Sequence, residues 1–278
     1  MPARIKIEKK EIFLGEKISE KKWKCLTRPG KKFQKNAEIF FPDGSTARVL
    51  KIDADGLREI EFFPKKTFAE FLNENGEIPL PPYLKRDAEN LDKTRYQTIY
   101  AEKAGSVAAP TAGLHFSDEI FERLKNRGVE MAFLTLHVGL GTFLPVKTEN
   151  LENHQMHFEH FEISEGVAAK ITAAKKAGKK ITAVGSTSLR ALEAAFDGDK
   201  IKSGAQKTNL FLYPPANFRV VDHFLTNFHL PRSTLLMLLS AFFSPGKTDG
   251  RKKVLEKYAE AIAEKYRFFS YGDASLWL

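Results

Sequence analysis

Histidine, glycine and hydroxyl residues stand at the ends of several hydrophobic runs, where they could bind a ligand or move protons. One such stretch holds His137, followed by Gly139, Gly141 and Thr142. Paired glycines let the main chain approach a ligand closely, and His137 stands where a proton acceptor is useful. It is not a dinucleotide-binding loop, because a third glycine is missing and Pro145 stands where a helix should begin. A tight turn beside a core histidine is the alternative interpretation.

A second stretch, Gly185-Ser186-Thr187-Ser188, lies between a hydrophobic run and a helical pattern. The first turn of a helix leaves backbone N–H groups without partners, and together with the helix dipole they attract an anion. Arg190 adds positive charge. We expect a phosphate or an amino-acid carboxylate to bind there, and ordinary capping of the helix by a hydroxyl is the alternative.

Two further stretches carry histidines beside small or polar residues. In the first, a run of small residues with Thr111 and His115 leaves room for a ligand and supplies a candidate acid or base. The second places Asn227 and His229 between a strand-like run and a helical pattern, as in the wall of a pocket. The alternatives are a close packing contact for the first stretch and a capped polar loop for the second.

Metal ligands and disulfides are not indicated. His154, His157 and His160 are three residues apart, but metal sites usually recruit ligands from separate elements with carboxylate support. We expect these histidines to lie at the surface or to face RNA, and we expect no metal. The single cysteine, Cys25, excludes a disulfide framework and a multi-thiolate metal centre.

The elements that position these residues are predicted from hydrophobic periodicity and capping signals. Beyond a proline-rich stretch at 78–83, helical and strand-like patterns alternate, which predicts an α/β domain with an open, mostly parallel sheet. The polar stretches above would then lie at the carboxyl ends of its strands. Serine caps and closing glycines predict helices from Ser117 to Gly128 and from Ser164 to Gly178. We predict further helices at 189–196, 235–242 and 254–266, and strands at 129–138, 181–184, 218–224 and 268–271.

The first 35 residues carry most of the excess positive charge, with twelve Lys or Arg against four Glu in a chain of net charge +9. Lysines there alternate with hydrophobic residues, which predicts strands with one positive, solvated face. Turn signals at 28–31 and 42–45 favour a second, smaller domain, an antiparallel β-barrel or sandwich. With Trp23 nearby, such a face suits a nucleic-acid backbone, and lysines that contact only solvent are the alternative.

A proline-rich stretch at 78–83 predicts the boundary between a basic β-barrel domain, residues 1–78, and an α/β domain, residues 79–278. A rigid loop within one domain is the alternative. Hydrophobic residues make up 42% of the chain, enough for packed cores. The N-terminus lacks the apolar core of a signal peptide, and the longest apolar run is too short to span a bilayer. We therefore expect a soluble, cytoplasmic protein with no membrane contact.

Taken together and in this order, the motifs resemble the S-adenosylmethionine:tRNA ribosyltransferase-isomerase family of queuosine biosynthesis. The most specific stretches are Pro110–Phe116, Leu136–Phe143 and Thr226–Thr234. The others are Cys25–Lys31, Glu77–Tyr83, Arg95–Thr98, Ala108–Ala109, His154–His157, Val184–Glu193 and Phe268–Ala274. The likeness covers nearly the whole chain.

Two departures from the family pattern accompany the likeness. Residues 1–4 resemble a sequence that lies well inside family members, so we expect this chain to be shortened at its N-terminus. Asn209 stands where the family usually has aspartate, and activity is weakened if that carboxylate matters.

The resemblance implies a reaction and a fold. The ribosyl moiety of S-adenosylmethionine would be transferred to 7-aminomethyl-7-deazaguanine at the wobble position of a tRNA and isomerised, giving epoxyqueuosine and releasing adenine and methionine. S-adenosylmethionine would thus be a co-substrate, with no further cofactor, since its sulfonium already activates the neighbouring carbon. The implied fold is an α/β domain with an inserted six-stranded β-barrel, and we expect a monomer.

Roles for the candidate residues follow as a hypothesis. His137 and His115 would share the proton transfers, with His229 in reserve. Ser186, Thr187 and Ser188 would hold the methionine carboxylate with Arg190, and the remaining donor-binding candidates are Thr111, Gly139, Gly141, Thr142 and Asn227. Arg28, Lys31 and Lys32 would bind the tRNA. The rival interpretations are a shortened relative that binds structured RNA without catalysis and a metal-dependent hydrolase.

Overall fold

The structure is a computed structural model that describes residues 4–54, 56–80, 84, 86, 88, 89, 91–103, 106, 109–137, 156, 158–231 and 233–278. Within these residues, contacts between Cα atoms divide the chain into two units. The first unit comprises residues up to 94 together with Ser106, and the second comprises 95–103, 109–137 and the residues from 156 onward. The boundary predicted at residue 78 stays a prediction.

The first unit is built on one large antiparallel sheet. Its strands are β1 (Arg4–Ile7), β2 (Lys10–Lys17), β3 (Lys22–Arg28), β4 (Glu38–Phe40), β5 (Thr46–Ile52), β6 (Arg58–Phe63) and β7 (Gly76–Glu77), and helix α1 (Phe68–Asn75) precedes β7. They pair in the order β4-β5-β6-β3-β2-β1-β7, and the sheet curls into a half-barrel. The predicted antiparallel β-structure of this region is therefore confirmed.

Alternation of side chains explains why this sheet forms. Ile5, Ile12, Cys25 and Ile60 point inward and are fully buried, while the lysines between them take the other face, because successive residues of a strand face opposite ways. Aromatic side chains of β6 and α1 fill the inside of the curl. Burying each large apolar side chain contributes roughly 1.5–3 kcal/mol.

The turn predicted at 42–45 joins β4 to β5. Gly44 has φ +78°, a conformation that glycine adopts without strain. The Asp43 carboxylate accepts a hydrogen bond from the Ser45 N–H at 3.0 Å. The turn predicted from the sequence at 42–45 is therefore confirmed.

The second unit mixes short strands with longer helices. In chain order they are α2 (Asp92–Arg95, which overlaps the start of the unit), α3 (Asp118–Asn126), β8 (Thr135–His137), β9 (Glu159–Ile163), α4 (Glu165–Lys176), β10 (Thr182–Val184), α5 (Ser186–Ala195), β11 (Gly204–Thr208), β12 (His223–Asn227), α6 (Thr234–Phe243), α7 (Gly250–Ala263) and β13 (Ala274–Trp277). A 3₁₀ turn, Thr111–His115, precedes α3.

The prediction of a mostly parallel sheet is wrong. The strands form two three-stranded sheets, β10-β12-β13 and β11-β9-β8, and in the described residues only the pairing of β10 with β12 is parallel. Two strands that are connected through a helix form a parallel pair only when the second strand returns to lie beside the first. Here β9 pairs antiparallel with both β8 and β11, and β13 runs antiparallel to β12 after α6, α7 and a tight turn.

The predicted helices are confirmed, whereas three strands were placed wrongly. Ser117 and Ser164 cap α3 and α4 as expected. Within 129–137 only Thr135–His137 is extended, the strand predicted at 218–224 runs instead from His223 to Asn227, and 268–271 forms a turn before β13. These errors arise because aromatic residues in loops are also buried: the rings of Phe218 and Phe242 are 4.9 Å apart.

The core of the second unit lies between the sheet β10-β12-β13 and the helices packed on it. Leu189 of α5, Phe224 of β12 and Leu239 of α6 are fully buried there, and Val254 and Tyr258 of α7 close one side. Although α6 is the most apolar helix, it has only ten residues. In the described part of the chain, no helix has both the length and the hydrophobicity to cross a bilayer.

Candidate active site

Three predicted site residues meet in one hydrogen-bonded group, which we call the histidine–amide cluster: Thr111, His115 and Asn227. The Thr111 hydroxyl donates to Asn227 Oδ1 at 3.1 Å, and Asn227 Nδ2 lies 3.0 Å from His115 Nε2. Asn227 is only 3% exposed, so its amide must find partners within the protein. Residues more than 100 positions apart in sequence are thereby brought together.

The 3₁₀ turn that carries Thr111 and His115 depends on a close approach at Gly113. A Cβ atom at this position would lie 2.0 Å from the Tyr100 hydroxyl and 2.8 Å from Thr98 Cγ2. Glycine at position 113 therefore lets the turn pack directly against the segment that contains Thr98 and Tyr100. The run of small residues seen in the sequence thus serves close packing here, which was its alternative interpretation, and it also places two members of the cluster.

The opposite wall of the cluster is the turn between α7 and β13. Asp273 closes it: its backbone N–H donates to the Arg267 carbonyl, and its carboxylate accepts from the Arg267 N–H, both at 2.7 Å. Gly272 is packed tightly, because a Cβ there would lie 2.3 Å from the Arg267 oxygen. The turn presents the Phe269 carbonyl to Asn227 Nδ2 at 3.3 Å.

The surroundings of His115 favour its neutral form. Burial lowers the pKa of His115, the nearby Asp273 carboxylate partly offsets this, and Arg267 adds to it. His115 is half-buried, so a ligand can still reach it. A neutral imidazole offers one acceptor and one donor nitrogen.

His229 lies two residues beyond Asn227 and has partners of its own. Its Nε2 is 2.8 Å from the Thr226 hydroxyl, and its backbone N–H donates to the Tyr258 hydroxyl at 3.1 Å. Burial lowers the pKa of His229 to about 4. At neutral pH this ring is therefore uncharged, with one N–H donor and one acceptor nitrogen, and it is not present as the imidazolium acid.

The stretch Gly185–Ser188 stands beside the cluster. The Gly185 N–H donates to the Leu225 carbonyl at 2.9 Å, and a Cβ at Gly185 would lie 3.8 Å from the Ala112 Cβ. Helix α5 begins at Ser186, and no side chain caps it. Ser186, Thr187 and Ser188 are half-buried, so the backbone donors of this turn remain suited to an anion.

Arg190, expected to add charge for a ligand, is engaged elsewhere. It forms an ion pair with Glu159 of β9, and both side chains are buried. Within the described residues its Nη1 has no hydrogen-bond partner. Its role in binding the donor stays a prediction, while the structure shows a link between α5 and β9.

Sequence reasoning missed Glu193, one turn beyond Arg190 on α5. Its carboxylate, 4% exposed, accepts hydrogen bonds from three successive backbone N–H groups, those of residues 219–221, at 2.9–3.0 Å. It therefore anchors the segment that leads into β12. The sequence contained a signal for this role. Arg190 and Glu193 are two charged residues on the face of α5 that is otherwise buried.

His137 lies in the other small sheet of this unit. It ends β8 directly opposite His160 of β9 and lines an open groove with Glu162 and Lys207. Residues His115 and Asn227 do not line this groove. Gly139, Gly141 and Thr142, like His154 and His157, fall outside the described residues, so the predicted glycine turn is not placed.

In the first unit, Arg28, Lys31 and Lys32 form what we call the basic tip, around the short 3₁₀ turn Gly30–Lys32. All three side chains are exposed, and the part of the chain that the structure describes offers them no carboxylate within ion-pair distance. Arg58 holds the turn by donating to the carbonyls of Gly30 and Phe33.

The rest of the basic strands is less positive than the composition indicates. Lys22 lies 3.6 Å from Glu61, and Lys24 lies 3.6 Å from Glu16. Trp23 stacks on Phe68 with ring centroids 5.6 Å apart and packs against the core, so it is already engaged within the protein. The basic tip therefore keeps its charge without a carboxylate partner in the described residues, unlike Lys22 and Lys24.

The second unit holds a histidine–amide cluster beside a helix N-terminus, and the first unit carries an exposed basic turn that suits a nucleic-acid backbone. A family model described as "Queuosine biosynthesis protein" matches residues 1–277. The chain belongs to this family.

Two relatives found by sequence support the same assignment. A protein from Halothermothrix orenii named S-adenosylmethionine:tRNA ribosyltransferase-isomerase is 48% identical over 270 residues, which are 96% of this chain and 77% of that protein. One with the same name from Thermotoga petrophila is 45% identical over 283 residues, covering all of this chain and 81% of that protein. A crystal structure of S-adenosylmethionine tRNA ribosyltransferase from Thermotoga maritima is 34% identical, with a TM-score of 0.49, over all of this chain and 78% of that one.

Proposed function

We propose that the protein is an S-adenosylmethionine:tRNA ribosyltransferase-isomerase. It transfers the ribosyl moiety of S-adenosylmethionine to 7-aminomethyl-7-deazaguanine in a tRNA anticodon and isomerises it, giving epoxyqueuosine-tRNA, adenine and methionine. The observation that carries the proposal is the match over residues 1–277 to the queuosine biosynthesis family, together with relatives of this name at 45–48% identity.

The donor binds beside the histidine–amide cluster in this proposal. The N-terminus of α5 faces the same segment through Gly185 and Ala112, and its backbone donors suit the methionine carboxylate. The sulfonium of the donor activates the neighbouring carbon, so S-adenosylmethionine acts as a co-substrate and no further cofactor is required. Thr111 and Asn227 hold the wall of this site.

The reaction needs a base for the proton beside the sulfonium and a group that assists the departure of adenine. His115 and His137 are the proposed pair, with His229 in reserve. His115 is the member that stands in the histidine–amide cluster, and the lowered pKa values of His115 and His229 keep both neutral near pH 7. Neutral histidines also avoid repulsion of the cationic donor.

The basic tip contacts the phosphates of the tRNA in this proposal. Three exposed cations without carboxylate partners in the described residues are available to replace counterions on the RNA backbone. Because its substrate is a tRNA, we propose that the protein works in the cytoplasm, and that it works as a monomer.

The decisive experiment is the release of adenine from S-adenosylmethionine, followed by chromatography, with tRNA that carries 7-aminomethyl-7-deazaguanine. We expect release that depends on this tRNA and persists in a metal chelator. His137→Ala and His115→Ala should each abolish product while donor binding persists, and turnover close to wild type would remove that residue from the mechanism. Tight tRNA binding without any adenine would instead identify a non-catalytic RNA-binding relative.

A further inference from the structure

The hydrogen bonds of Asn227 fix which way its amide points. The Phe269 carbonyl can only accept a hydrogen bond, so the amide nitrogen must be the atom that faces it, at 3.3 Å. The amide oxygen then faces the Thr111 hydroxyl, which donates to it at 3.1 Å. The same nitrogen also lies 3.0 Å from His115 Nε2, so that imidazole nitrogen must be an acceptor.

We infer that Asn227 is a positioning residue that keeps His115 neutral with its proton on Nδ1, so that His115 serves the reaction as a hydrogen-bond donor and not as a proton acceptor. The inference rests on the proposed function for the reaction itself, but the state of the ring follows from the cluster alone.

Protonation of His115 at Nε2 would set two donors against each other. An N–H on that nitrogen would face the Asn227 N–H at the present separation of 3.0 Å. Turning the amide over would relieve this contact, but it would then place the amide oxygen against the Phe269 carbonyl. Either response loses a hydrogen bond in a site where Asn227 is 3% exposed and water cannot replace it.

The carbonyl that decides the orientation is itself held firmly. Phe269 has φ +76°, a conformation that residues other than glycine seldom adopt. Its N–H donates to the Phe228 carbonyl at 3.0 Å, and its carbonyl accepts from the Gly272 N–H at 3.0 Å. An uncommon backbone conformation supported in this way is a feature of functional sites.

The charged groups near His115 are consistent with this assignment. Asp273 favours the charged ring, whereas burial and Arg267 favour the neutral one, and the net effect lowers the pKa of His115. A neutral donor at Nδ1 can hydrogen-bond to the departing adenine, where negative charge develops. Removal of the proton beside the sulfonium then belongs to another group.

Nitrogen NMR of the full-length protein with ¹⁵N-labelled histidine tests the inference directly. The chain has seven histidines, so the signals of His115 are identified by their loss in His115→Gln. At pH 7 we expect Nδ1 to carry the proton and Nε2 to resonate as an unprotonated nitrogen. A proton on Nε2, or a charged ring at pH 7, would overturn the inference without any further variant.

Asn227→Asp provides the second arm, because a carboxylate accepts a hydrogen bond that the amide cannot. We expect the neutral ring to move its proton to Nε2 and the midpoint of its titration to rise by about 1 pH unit or more. Asn217→Asp is the matched control, because this substitution adds the same charge at an exposed position. Asn217 lies against Gly246. An unchanged titration in Asn227→Asp would contradict the inference.

Adenine release distinguishes a failure of the proposed function from a failure of the inference about His115. If the wild-type protein releases no adenine while NMR finds the proton on Nδ1, the proposed function fails and the positioning role of Asn227 remains. If adenine is released while NMR finds the proton on Nε2, the proposed function remains and the inference fails.

Discussion

Arg190 and Glu159 form a buried ion pair that joins helix α5 to strand β9. Both side chains are within the core, at 7% and 10% exposure. Each charge has therefore lost its contact with water and interacts instead with the opposite charge. Such a pair contributes little net stability compared with apolar residues, but the loss of one partner leaves a buried charge without compensation. The pair therefore determines how α5, and the turn at its start, are placed.

Arg190→Ala should destabilise the protein by about 3–5 kcal/mol, because Glu159 would remain buried and unpaired. Urea unfolding followed by circular dichroism measures this. Lys257→Ala is the matched control, since Lys257 pairs with Glu260 at 2.8 Å on the surface of α7 and should cost less than about 1 kcal/mol. Equal losses for the two variants would argue against the core pair.

The double variant Arg190→Met with Glu159→Leu isolates the charge from the volume. We expect it to recover much of the stability that Arg190→Ala loses, because neither charge remains in the core. A double variant less stable than Arg190→Ala would mean that the two side chains contribute mainly through packing.

Gly113→Ala should destabilise the protein by about 1–3 kcal/mol, since the added Cβ would lie 2.0 Å from the Tyr100 hydroxyl. Tyr100→Phe in the same chain should restore part of the loss, because Thr98 Cγ2 at 2.8 Å still interferes. Thermal unfolding measures both. Gly166→Ala in α4 meets nothing within 4 Å and should stabilise by up to about 1 kcal/mol.

The folded protein should lose stability as the pH falls from 6.5 towards 4, in part because of His229. Its pKa in the folded state, about 4, lies below its ordinary value of 6.5. Between these values the unfolded chain binds a proton that the folded chain does not, and above 6.5 the two states are equal in this respect. We expect a loss of about 2 kcal/mol, allowing for the incomplete burial of the residue.

The unfolding temperature of His229→Gln and of wild type, followed from pH 7.5 to 4, isolates this contribution. The variant should depend less steeply on pH below 6.5. His160→Gln, an exposed position, should follow the wild-type curve. Parallel curves for His229→Gln and wild type would show that burial does not lower the pKa of this ring.

Lys31→Ala with Lys32→Ala should weaken tRNA binding and flatten its salt dependence. Each phosphate contact contributes about 0.9 to the slope of log K against log salt concentration, so the slope should fall by about 2. Lys22→Ala, which removes a lysine paired with Glu61, should change it little. Fluorescence anisotropy across a salt series measures both, and an unchanged slope for the double variant would place the RNA elsewhere.

Much of the fold was accessible from the sequence because its signals are local. Ser117 and Ser164 cap helices as predicted, and alternation around Ile12 and Cys25 located strands of the curled sheet. Strand direction was not accessible, since β13 returns antiparallel to β12 only after α6, α7 and a turn that depends on Gly272 and on contacts of Asp273. Aromatic residues in loops that pack partly buried against the core, such as Phe218 and Phe268, have the same hydrophobic pattern as strands.

The candidate site divides in the same way. His115, Asn227 and the Gly185 turn were found as isolated polar stretches, and the structure joins them in the histidine–amide cluster and beside it. The partners of Asn227 and the ion pair of Arg190 could not be predicted, because contacts between residues 31 to 116 positions apart leave no periodic pattern. His137 was paired with His115 because both were expected at strand ends, whereas His115 lies in a 3₁₀ turn and His137 ends β8.

Glu193 accepts hydrogen bonds from three backbone N–H groups just before β12. These bonds also fix which side of the strand each residue of β12 faces. Because neighbouring strand residues point to opposite sides, Thr226 meets His229 while Asn227 meets His115. A single residue inserted between 221 and 223 would slide the strand by one place, so that Thr226 would replace Asn227 beside His115. One glutamate on a helix thus helps to keep an amide beside that imidazole.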